Sequence, residues 1–547
     1  MKFGEIRVAD AAGAVLAHSL KLAGRSLKKG HRLTAEDVTA LSEAGHLTVI
    51  AATLEAGDID ENSAAQALAA PLSGAHVRLG PPFTGRVNLY SEVSGILLFD
   101  RAAIDRFNGV DETITLAVLE PYTVVAPKQM VGTIKIIPFA VKRDAVTACL
   151  DAVGGAAPLL RIAPFTARRA ALIQTRLPGL KETALDKTVT ATQERLEALG
   201  SRLVLERRCA HRTEDLAPQI AAAAEQCDLV LVAGASAIVD RRDVIPAAIT
   251  SLGGTIDHFG MPVDPGNLML MGRLGAVAVL GLPGCARSPK VNGFDWVLQR
   301  LLAGLPIGAS EIMRMGVGGL LAEIPSRPLP RAKAVAAPAP DVPRAPRIAA
   351  VVLAAGQSRR MGTLNKLLIT IDGTAMVRRV VDAIRASQAS PVVVVTGHER
   401  ERVEAALAGL GDLRIVVNPD YAKGLSTSLK AGIAALPGDV DGALICLGDM
   451  PLVASGELDR LMAAFNPVEG RAICIPTRRG QRGNPVLLGK QFFAELSGLS
   501  GDIGARDLIA RHAELVAEVE MAGDGVLTDI DTPQALARLS KGVKIGA

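Results

Sequence analysis

The sequence predicts an α/β protein with two three-layer parallel-sheet domains, preceded by a mostly β accessory region in which a helix is expected at Thr34–Ala44. Two patterns predict this fold. From about residue 168, short apolar runs alternate with segments of helical periodicity, and the alternation begins again at residue 347. Strands and helices that alternate in this way form parallel sheets with right-handed crossover connections. Before residue 140, short apolar runs are separated by turn residues instead, a pattern typical of β structure.

The length of 547 residues allows two or three domains. A segment rich in proline and alanine, without apolar periodicity, separates the two α/β domains and is typical of an extended tether. Because such a composition forms no core, we expect that cutting it leaves two halves that unfold independently. The predicted divisions are an accessory region at 1–140, an α/β domain at 141–324, the tether at 325–346 and a second α/β domain at 347–547.

Composition limits the partners of this protein. Hydrophobic residues make up 49% of the chain but aromatic residues only 3%, which leaves few rings to stack on single-stranded nucleic acid. The net charge of +4 is small for this length, so no polyanionic partner is expected. No apolar run reaches the roughly 18 residues of a membrane span, and the N-terminus lacks the apolar core of a signal peptide. We therefore expect neither a nucleic-acid partner nor a membrane.

The six cysteines are scattered along the chain, and none forms a CxxC pair. Disulfide frameworks and zinc sites usually show regular cysteine spacing. The spacing therefore predicts reduced thiols and a cytoplasmic protein.

A loop with two glycines opens the second α/β domain. It follows the apolar run Ile348–Leu353, which predicts a strand buried on both faces. Glycine lets the backbone approach a ligand closely, and free N–H groups with cations such as Arg360 and Lys366 can hold phosphate oxygens. The spacing of Gly356 and Gly362 excludes both GxxxxGK[ST] and GxGxxG loops. The alternative is a glycine turn with a solvated basic face.

Two carboxylates are predicted to hold a divalent cation. Asp449 follows the apolar strand Gly442–Leu447, and parallel sheets bind their ligands at the carboxyl ends of the strands. Carboxylate oxygens are ligands that Mg²⁺ prefers. Asp529 and Asp531 stand on alternate residues and so face opposite sides of a strand end. We choose Asp531 as the second metal ligand, because it leads into a helix start at Thr532.

The glycine loop resembles a family signature. Its residues follow the pattern LAAGxSxRMGxxNK of nucleotidyltransferases that act in molybdenum-cofactor maturation. Ala355 and Asn365 are similar to the cytidylyltransferase branch, whereas the guanylyltransferase branch has LAGG and a DK pair. The resemblance covers essentially all of residues 347–547.

Three further segments resemble the same family. Asn418–Lys430 is similar to its N…GxxxSL stretch near the nucleotide, and Gly501–Arg506 to its GDxGAR turn. Arg482–Pro485 resembles an RGHP motif in which Asn484 replaces the histidine. The nucleotide-binding residues that the resemblance implies are Leu353, Ala354, Ala355, Gly356, Ser358, Gly362, Lys366, Asn418 and Ser428, and the catalytic residues are Arg360, Lys366 and Asp449.

The resemblance also implies a reaction and its participants. CMP is transferred from CTP to the terminal phosphate of Mo-molybdopterin, with release of pyrophosphate. Mg²⁺ on Asp449 and Asp531, together with Arg360 and Lys366, is expected to neutralise the two anionic reactants. The expected partners are CTP, the molybdopterin cofactor, and a recipient molybdoenzyme or its chaperone.

The first α/β domain resembles the molybdopterin-binding domain of molybdotransferases. Ala233–Asp240 is similar to that family's TGGxS…D loop, and Gly281–Gly284 to its GLPG turn. Asp264–Leu268 stands at the place of a KPGKP motif but has no lysine, so we expect pterin binding without efficient molybdate insertion. The pterin-binding residues that this resemblance implies are Gly234, Ser236, Asp240, Gly266, Pro283 and Gly284. The resemblance of Arg482–Pro485 to the RGHP motif adds Asn484 as a pterin-binding residue.

Three other functions remain open. The first is a guanylyltransferase of the same family, which uses GTP and which nucleotide competition would separate from a cytidylyltransferase. The second is a transferase that makes an activated sugar or polyol phosphate, although the pterin-like half argues against it. The third is a molybdenum-cofactor-binding chaperone without catalysis, against which the presence of Gly356, Arg360, Lys366 and Asp449 argues.

Overall fold

The structure, a computed structural model, describes most of the chain. The described residues are 1–22, 25–154, 158–321, 346–358, 361, 364–498, 505–532, 536 and 545–546. Most of the predicted tether, Arg360, Gly362 and residues 501–504 therefore lie outside the described residues. All six cysteines are described and are free thiols, as their spacing predicts. Among the described helices, none combines the length and the hydropathy that crossing a membrane requires.

A small sheet with one helix forms the N-terminus. The helix α1 (Ala35–Glu43) begins after Thr34, whose hydroxyl accepts the N–H of Asp37, while the Asp37 carboxylate accepts the N–H of Thr34. This reciprocal capping confirms the predicted helix. The strand β5 lies between β1 and β2, and β3 pairs with β4. The strands are β1 (Lys2–Arg7), β2 (Val15–Leu16), β3 (Leu20–Leu22), β4 (Arg25–Leu27) and β5 (Thr48–Thr53).

Residues 58–164 add three small sheets and three helices. The elements are β6 (Asp58–Asp60), α2 (Glu61–Leu72), β7 (Val77–Leu79), β8 (Arg86–Ser91), β9 (Gly95–Leu98), α3 (Arg101–Asn108), β10 (Ile114–Val118), β11 (Val124–Val125), β12 (Met130–Ile136), β13 (Ala140–Lys142), α4 (Arg143–Val153) and β14 (Arg161–Pro164). The sheet orders are β10-β12-β8-β7, β11-β9-β14 and β13-β6. The N-terminal region is therefore mostly β, as predicted.

The predicted division after residue 140 falls inside β13. Cys149 of α4 and Ile162 of β14 are buried in the same core as Phe107 of α3, and β14 pairs with β9. The sequence did not indicate this pairing, because a four-residue strand carries too little periodicity to be recognised. We therefore propose that the accessory region ends near residue 165.

The first α/β domain is a six-stranded sheet between two helical layers. Its sheet order is β16-β15-β17-β20-β19-β18, in which the first four strands run parallel and the last two antiparallel to their neighbours. The helices α5 and α8 pack on one face, and α6 and α7 on the other. The elements are β15 (Arg169–Arg176), α5 (Glu182–Ala198), β16 (Arg202–Ala210), α6 (Thr213–Gln226), β17 (Leu229–Ala233), α7 (Val244–Ser251), β18 (Thr255–Phe259), β19 (Leu270–Leu274), β20 (Val277–Leu282), α8 (Gly293–Leu302) and α9 (Ala309–Met313).

The second α/β domain repeats this architecture around a larger sheet. The elements are β21 (Ile348–Ala354), β22 (Thr370–Ile371), β23 (Thr374–Ala375), α10 (Met376–Ala386), β24 (Val392–Thr396), α11 (Arg400–Ala406), β25 (Leu413–Val417), α12 (Leu425–Ala434), β26 (Gly442–Leu447), α13 (Ser455–Ala464), β27 (Ile473–Arg478), β28 (Gln481–Arg482), β29 (Val486–Gly489), α14 (Phe493–Gly498), α15 (Arg506–Arg511), β30 (Val516–Glu520) and β31 (Ile545–Gly546). The sheet order is β25-β24-β21-β26-β29-β27-β28, with β30 beside β27. The helices α10 and α13 cover one face, and α12 and α14 the other.

The central strand β21 is buried along its whole length and runs parallel to both β24 and β26. Leu353 pairs with Leu447 in the register of β21 and β26. The loops that follow these two strands therefore begin side by side, at the edge of the sheet where parallel α/β domains bind their ligands.

Polar contacts join the accessory region to the second α/β domain. Arg78 donates to the carboxylate of Asp459 at 3.0 Å, and that side chain is only 7% exposed. Lys128 Nζ donates to the carbonyl oxygens of Arg385 and Ala389, both at 3.1 Å, where α10 ends. These contacts link the two halves independently of the tether, and they favour unfolding of the halves together. The independent unfolding of the halves stays a prediction.

We expect Arg78→Ala to lower the free energy of unfolding by about 2 kcal/mol, because a buried carboxylate loses a charged partner. The matched control is Arg7→Ala, which removes an ion pair between side chains that are 78% and 55% exposed and should have almost no effect. Urea unfolding of both variants measures the difference. Equal midpoints for the two variants would contradict a stabilising role for the Arg78–Asp459 contact.

Candidate active site

A crevice of about 400 Å³ opens beyond the carboxyl ends of β21 and β26. Seven residues that the sequence predicts to bind or act are among its lining: Leu353, Ala355, Gly356, Ser358, Lys366, Ser428 and Asp449. The prediction did not include Gln357, Tyr421, Lys423 and Leu425, which also line it. Their position inside the two matched segments was the signal that could have identified them.

Two predicted nucleotide-binding residues lie behind the crevice wall. Ala354 is 0% exposed and belongs to the core, so its contact with a nucleotide stays a prediction that this burial does not support. Asn418 is 3% exposed, and its amide donates to the hydroxyls of Thr427 and Ser428, both at 2.9 Å. Asn418 therefore positions Ser428, which does line the crevice.

The N-terminus of α12 also faces the crevice. Gly424 precedes the helix with a φ of 115° and offers no side chain to cap it, and Gly424, Leu425 and Ser428 all line the crevice. The N–H groups in the first turn of a helix and the helix dipole favour negative charge. This wall is suited to phosphate oxygens.

A hydrogen bond joins two described residues that follow β21, Ser358 and Lys366. Ser358 has a φ of 51°, and its hydroxyl accepts the N–H of Lys366 at 3.2 Å. A Cβ atom at Gly356 would meet no atom within 4 Å, so that residue faces open space where a ligand can approach the backbone.

Asn365 fixes the backbone from which the Lys366 side chain extends. Its side-chain oxygen Oδ1 accepts the N–H of Leu367 at 3.1 Å, and its side-chain Nδ2 donates to the Glu399 carboxylate at 2.9 Å. These bonds begin a short 3-10 turn at Lys366–Leu368. Hydrogen bonds from Asn365 and Arg402 lower the pKa of Glu399, so this carboxylate stays a charged acceptor for the Asn365 amide.

We expect Asn365→Ala to lower turnover by roughly tenfold to a hundredfold, because a small displacement of a charged group is costly in catalysis. Leu364→Ala is the control, since the neighbouring Leu364 side chain is 47% exposed. Steady-state kinetics of both variants, with melting temperatures, test the role. If Asn365→Ala keeps wild-type turnover, Asn365 does not position Lys366.

A cluster of three charged side chains lies at the floor of the crevice. Lys366 Nζ contacts the carboxylates of both Asp449 and Asp531. The side chains of Lys366 and Asp449 are 13% and 14% exposed. Asp531 reaches the cluster because the N–H of Ile530 donates to the carbonyl oxygen of Asp449 at 3.0 Å. Asp529 is exposed on the other side of this segment.

Burial and charge oppose each other in this cluster. Burial lowers the pKa of Lys366, but the charges and hydrogen bonds of Asp449 and Asp531 outweigh it and raise the pKa. Burial raises the pKa of Asp449, against the influence of Lys366. Two carboxylates face one ammonium, so these three groups together carry a surplus negative charge.

The donor set fits Mg²⁺. Asp449 Oδ1 is buried without a hydrogen-bond partner among the described residues, and unpaired buried carboxylate oxygens are costly unless a cation meets them. Within the described part of the chain, no three or more His, Cys, Asp or Glu side chains are grouped so that they could hold a metal ion by themselves. Mg²⁺ commonly uses only one or two carboxylates and completes its shell with water and substrate phosphates.

The predicted pterin-binding residues do not all lie together. Gly234 and Ser236 follow β17, and Pro283 and Gly284 follow the adjacent β20, so these four lie at one sheet edge. Asp240 is exposed and forms an ion pair with Arg242 at 2.8 Å, which lowers the pKa of Asp240. The remaining two residues, Gly266 and Asn484, lie elsewhere.

Gly266 has a packing role, and Asn484 belongs to the other α/β domain. A Cβ atom at Gly266 would lie 2.5 Å from the backbone nitrogen of Gly293, where α8 begins. The close approach of the loop to the helix therefore requires glycine at this position. Asn484 lies between β28 and β29, where its N–H donates to the carbonyl oxygen of Val526 at 2.9 Å.

Residues 350–516 match the family described as the MobA-like NTP transferase domain. This segment contains most of β21, and Lys366, α12 and Asp449. The C-terminal region is a MobA-like NTP transferase domain. Residues 5–53 match a second family, described only as a domain of unknown function, DUF8806.

Several characterised proteins are similar to part of the chain. Nicotine blue oxidoreductase of Paenarthrobacter nicotinovorans is 29% identical over 199 residues, which are 36% of this chain and 97% of that protein. Molybdenum cofactor cytidylyltransferase of Escherichia coli (strain K12) is 27% identical over 183 residues, which are 34% of this chain and 90% of that protein. Bifunctional protein GlmU of Leifsonia xyli subsp. xyli is 37% identical over 119 residues, where the chain spans 24% of the length of GlmU.

Among solved structures, a nucleotidyl transferase from Methanothermobacter thermautotroptrophicus is similar at 28% sequence identity and a TM-score of 0.33, over 36% of this chain and 97% of that chain. The family match and the sequence relatives identify the MobA-like domain as a nucleotidyltransferase domain related to molybdenum cofactor cytidylyltransferase and to other NTP transferases.

Proposed function

We propose that this protein is a molybdenum cofactor cytidylyltransferase, which transfers CMP from CTP to the terminal phosphate of Mo-molybdopterin and releases pyrophosphate. The observation that carries the proposal is the contact of Lys366 with both Asp449 and Asp531 at the floor of the crevice. The relationship of the MobA-like domain to the Escherichia coli cytidylyltransferase supports it, as do Ala355 and Asn365 in the loop after β21.

The reaction needs positioning and charge neutralisation. An oxygen of the pterin phosphate attacks the α-phosphorus of CTP, and the bond from that phosphorus to the oxygen bridging to the β-phosphorus breaks. Pyrophosphate leaves with the electron pair, so no covalent bond to the protein forms. The two reactants repel each other because both are anions, and preorganised charges in the site offset that repulsion.

Each wall of the crevice has a role in this proposal. Lys366 donates to phosphate oxygens, and the N-terminus of α12 with Ser428 receives an anionic group. Asp449 and Asp531 hold a Mg²⁺ ion, which supplies further charge neutralisation to the phosphates when bound. Arg360, the other proposed catalytic cation, lies outside the described residues.

The N-terminal half is proposed to bind the pterin. Gly234, Ser236, Pro283 and Gly284 at one sheet edge support this role. The absence of lysine from Asp264–Leu268 leads us to propose that this half does not insert molybdate efficiently. We further propose that the product passes to a recipient molybdoenzyme or its chaperone in the cytoplasm, where thiols stay reduced.

Incubation of the full chain with Mo-molybdopterin, Mg²⁺ and each NTP labelled at the α-phosphate tests the proposal. We expect labelled cofactor from CTP only. Label from GTP would instead support a guanylyltransferase, and cofactor binding without label from any NTP would support a chaperone. A parallel reaction with a sugar or polyol phosphate in place of the cofactor identifies a transferase of the remaining class.

A further inference from the structure

Three polar side chains form a chain of hydrogen bonds at the edge of the first α/β domain. Thr175 lies near the end of β15, His211 directly follows β16, and Ser236 lies in the loop after β17. These strands are neighbours, because β15 pairs with both β16 and β17. Thr175 Oγ1 lies 2.8 Å from His211 Nδ1, and His211 Nε2 lies 3.0 Å from Ser236 Oγ.

The surroundings of Thr175 decide which group donates and which accepts in each of these hydrogen bonds. Thr175 is 0% exposed, and its Oγ1 accepts the N–H of Ala235 at 2.8 Å. Among its contacts with the described residues, His211 Nδ1 is the acceptor that remains for the hydroxyl hydrogen of Thr175. A buried hydroxyl without an acceptor is costly, so Thr175 donates to Nδ1. His211 then carries its hydrogen on Nε2 and donates to Ser236, whose own hydrogen is left for a ligand.

This direction distinguishes the chain from a serine–histidine–carboxylate triad. In a triad the Nδ1–H of histidine donates to a carboxylate, which leaves Nε2 to take a proton from the serine. Here the partner of Nδ1 is a neutral hydroxyl that donates. Ser236 is therefore set as a hydrogen-bond donor, not as a nucleophile.

The loop that carries Ser236 is held in place from two sides. Arg287 Nη2 donates to the carbonyl oxygen of Gly234 at 2.6 Å, and Ala235 is bound to Thr175. A Cβ atom at Gly234 would lie 2.7 Å from the carbonyl oxygen of Ser236 and 3.1 Å from Ile245, so the tight loop requires glycine. A fixed donor near a guanidinium is suited to an oxyanion such as phosphate.

We propose that Thr175 and His211 are positioning residues that orient Ser236 as a hydrogen-bond donor to a phosphate monoester in the first α/β domain. The identity of the molecule that carries this phosphate rests on the proposed pterin binding. The assignment of donors and acceptors from Thr175 to Ser236 does not depend on it. In this series of hydrogen bonds each of the three side chains donates to the next group, from the buried Thr175 through His211 to the exposed Ser236.

Nitrogen-15 NMR of histidine-labelled full-length protein tests the proposal, with His211→Gln to assign the resonances. We expect His211 to carry hydrogen on Nε2 and not on Nδ1. Inorganic phosphate is expected to shift these resonances. Because the readout is local to His211, phosphate that enters the MobA-like domain does not interfere.

Buried threonines supply matched variants. Thr175→Val should weaken the phosphate binding that the His211 resonances report by about tenfold, the scale of one hydrogen bond in a series that ends on a charged group. Thr175→Ser should restore this binding. Thr192→Val is the control, since Thr192 is 2% exposed and donates to the carbonyl oxygen of Thr188 at 2.8 Å. Thr192→Val should leave phosphate binding unchanged.

Four results would overturn the proposal: hydrogen on Nδ1 in the wild type, no response of His211 to phosphate, wild-type affinity in Thr175→Val, or equal losses in Thr175→Val and Thr192→Val. Neither CTP nor the molybdenum cofactor is needed for these measurements. A failure of cytidylyl transfer would therefore leave them unaffected, and their failure would leave the transfer assay unaffected.

Discussion

Turnover of Asp449→Asn is expected to fall to roughly one hundredth of the wild-type value or less, the scale of losing one preorganised electrostatic contact. Asparagine keeps the shape and the hydrogen-bonding capacity of the side chain but removes the charge that binds a hard cation. The melting temperature should stay close to that of the wild type or rise slightly, because burial already raises the pKa of Asp449 and the neutral side chain removes a desolvated charge.

The competing role for Asp449 is a cap for the helix that follows. The structure does not place Asp449 in that role, because α13 begins at Ser455 and its N-cap residue is Ala454, whose N–H is accepted by Glu457 at 3.0 Å. Asp412→Asn, at an exposed position before β25, is the control for a general charge effect. Rates at limiting Mg²⁺, with melting temperatures, are the measurement. Wild-type turnover of Asp449→Asn at limiting Mg²⁺ would show that the metal assignment is wrong.

Lys366→Met is expected to separate metal binding from turnover. Without the ammonium, Asp449 and Asp531 lose their shared partner and repel each other, so Mg²⁺ should bind the nucleotide-free protein more tightly than it binds the wild type. Turnover should nevertheless fall by roughly a hundredfold, because the phosphates lose a positioned cation. Calorimetric Mg²⁺ titration and steady-state kinetics on the same variant measure the two effects.

The control for this variant is Lys423→Met. Lys423 also lines the crevice, but its side chain is 72% exposed and pairs with Asp420, so its loss should have a much smaller effect on both quantities. Weaker Mg²⁺ binding in Lys366→Met than in the wild type would contradict competition between the ammonium and the metal. Equal kinetic effects of the two substitutions would contradict a special role for Lys366.

The sequence alone predicted the two α/β domains and much of the crevice. Strand and helix periodicities are local, so the order of elements could be recognised without knowledge of their contacts. Lys366 and Asp449 were predictable for the same reason, because each follows a recognisable apolar strand, and the carboxyl ends of parallel strands meet at one edge.

Tertiary structure alone decided which side chains touch. Lys366 and Asp531 are 165 positions apart, and they meet only because Ile530 pairs with the backbone of Asp449. Side-chain direction decided that Ala354 faces the core and that Asn418 acts through Ser428. The chain from Thr175 to Ser236 and the contact between Arg78 and Asp459 depend in the same way on the packing of elements distant in sequence, which periodicity does not encode.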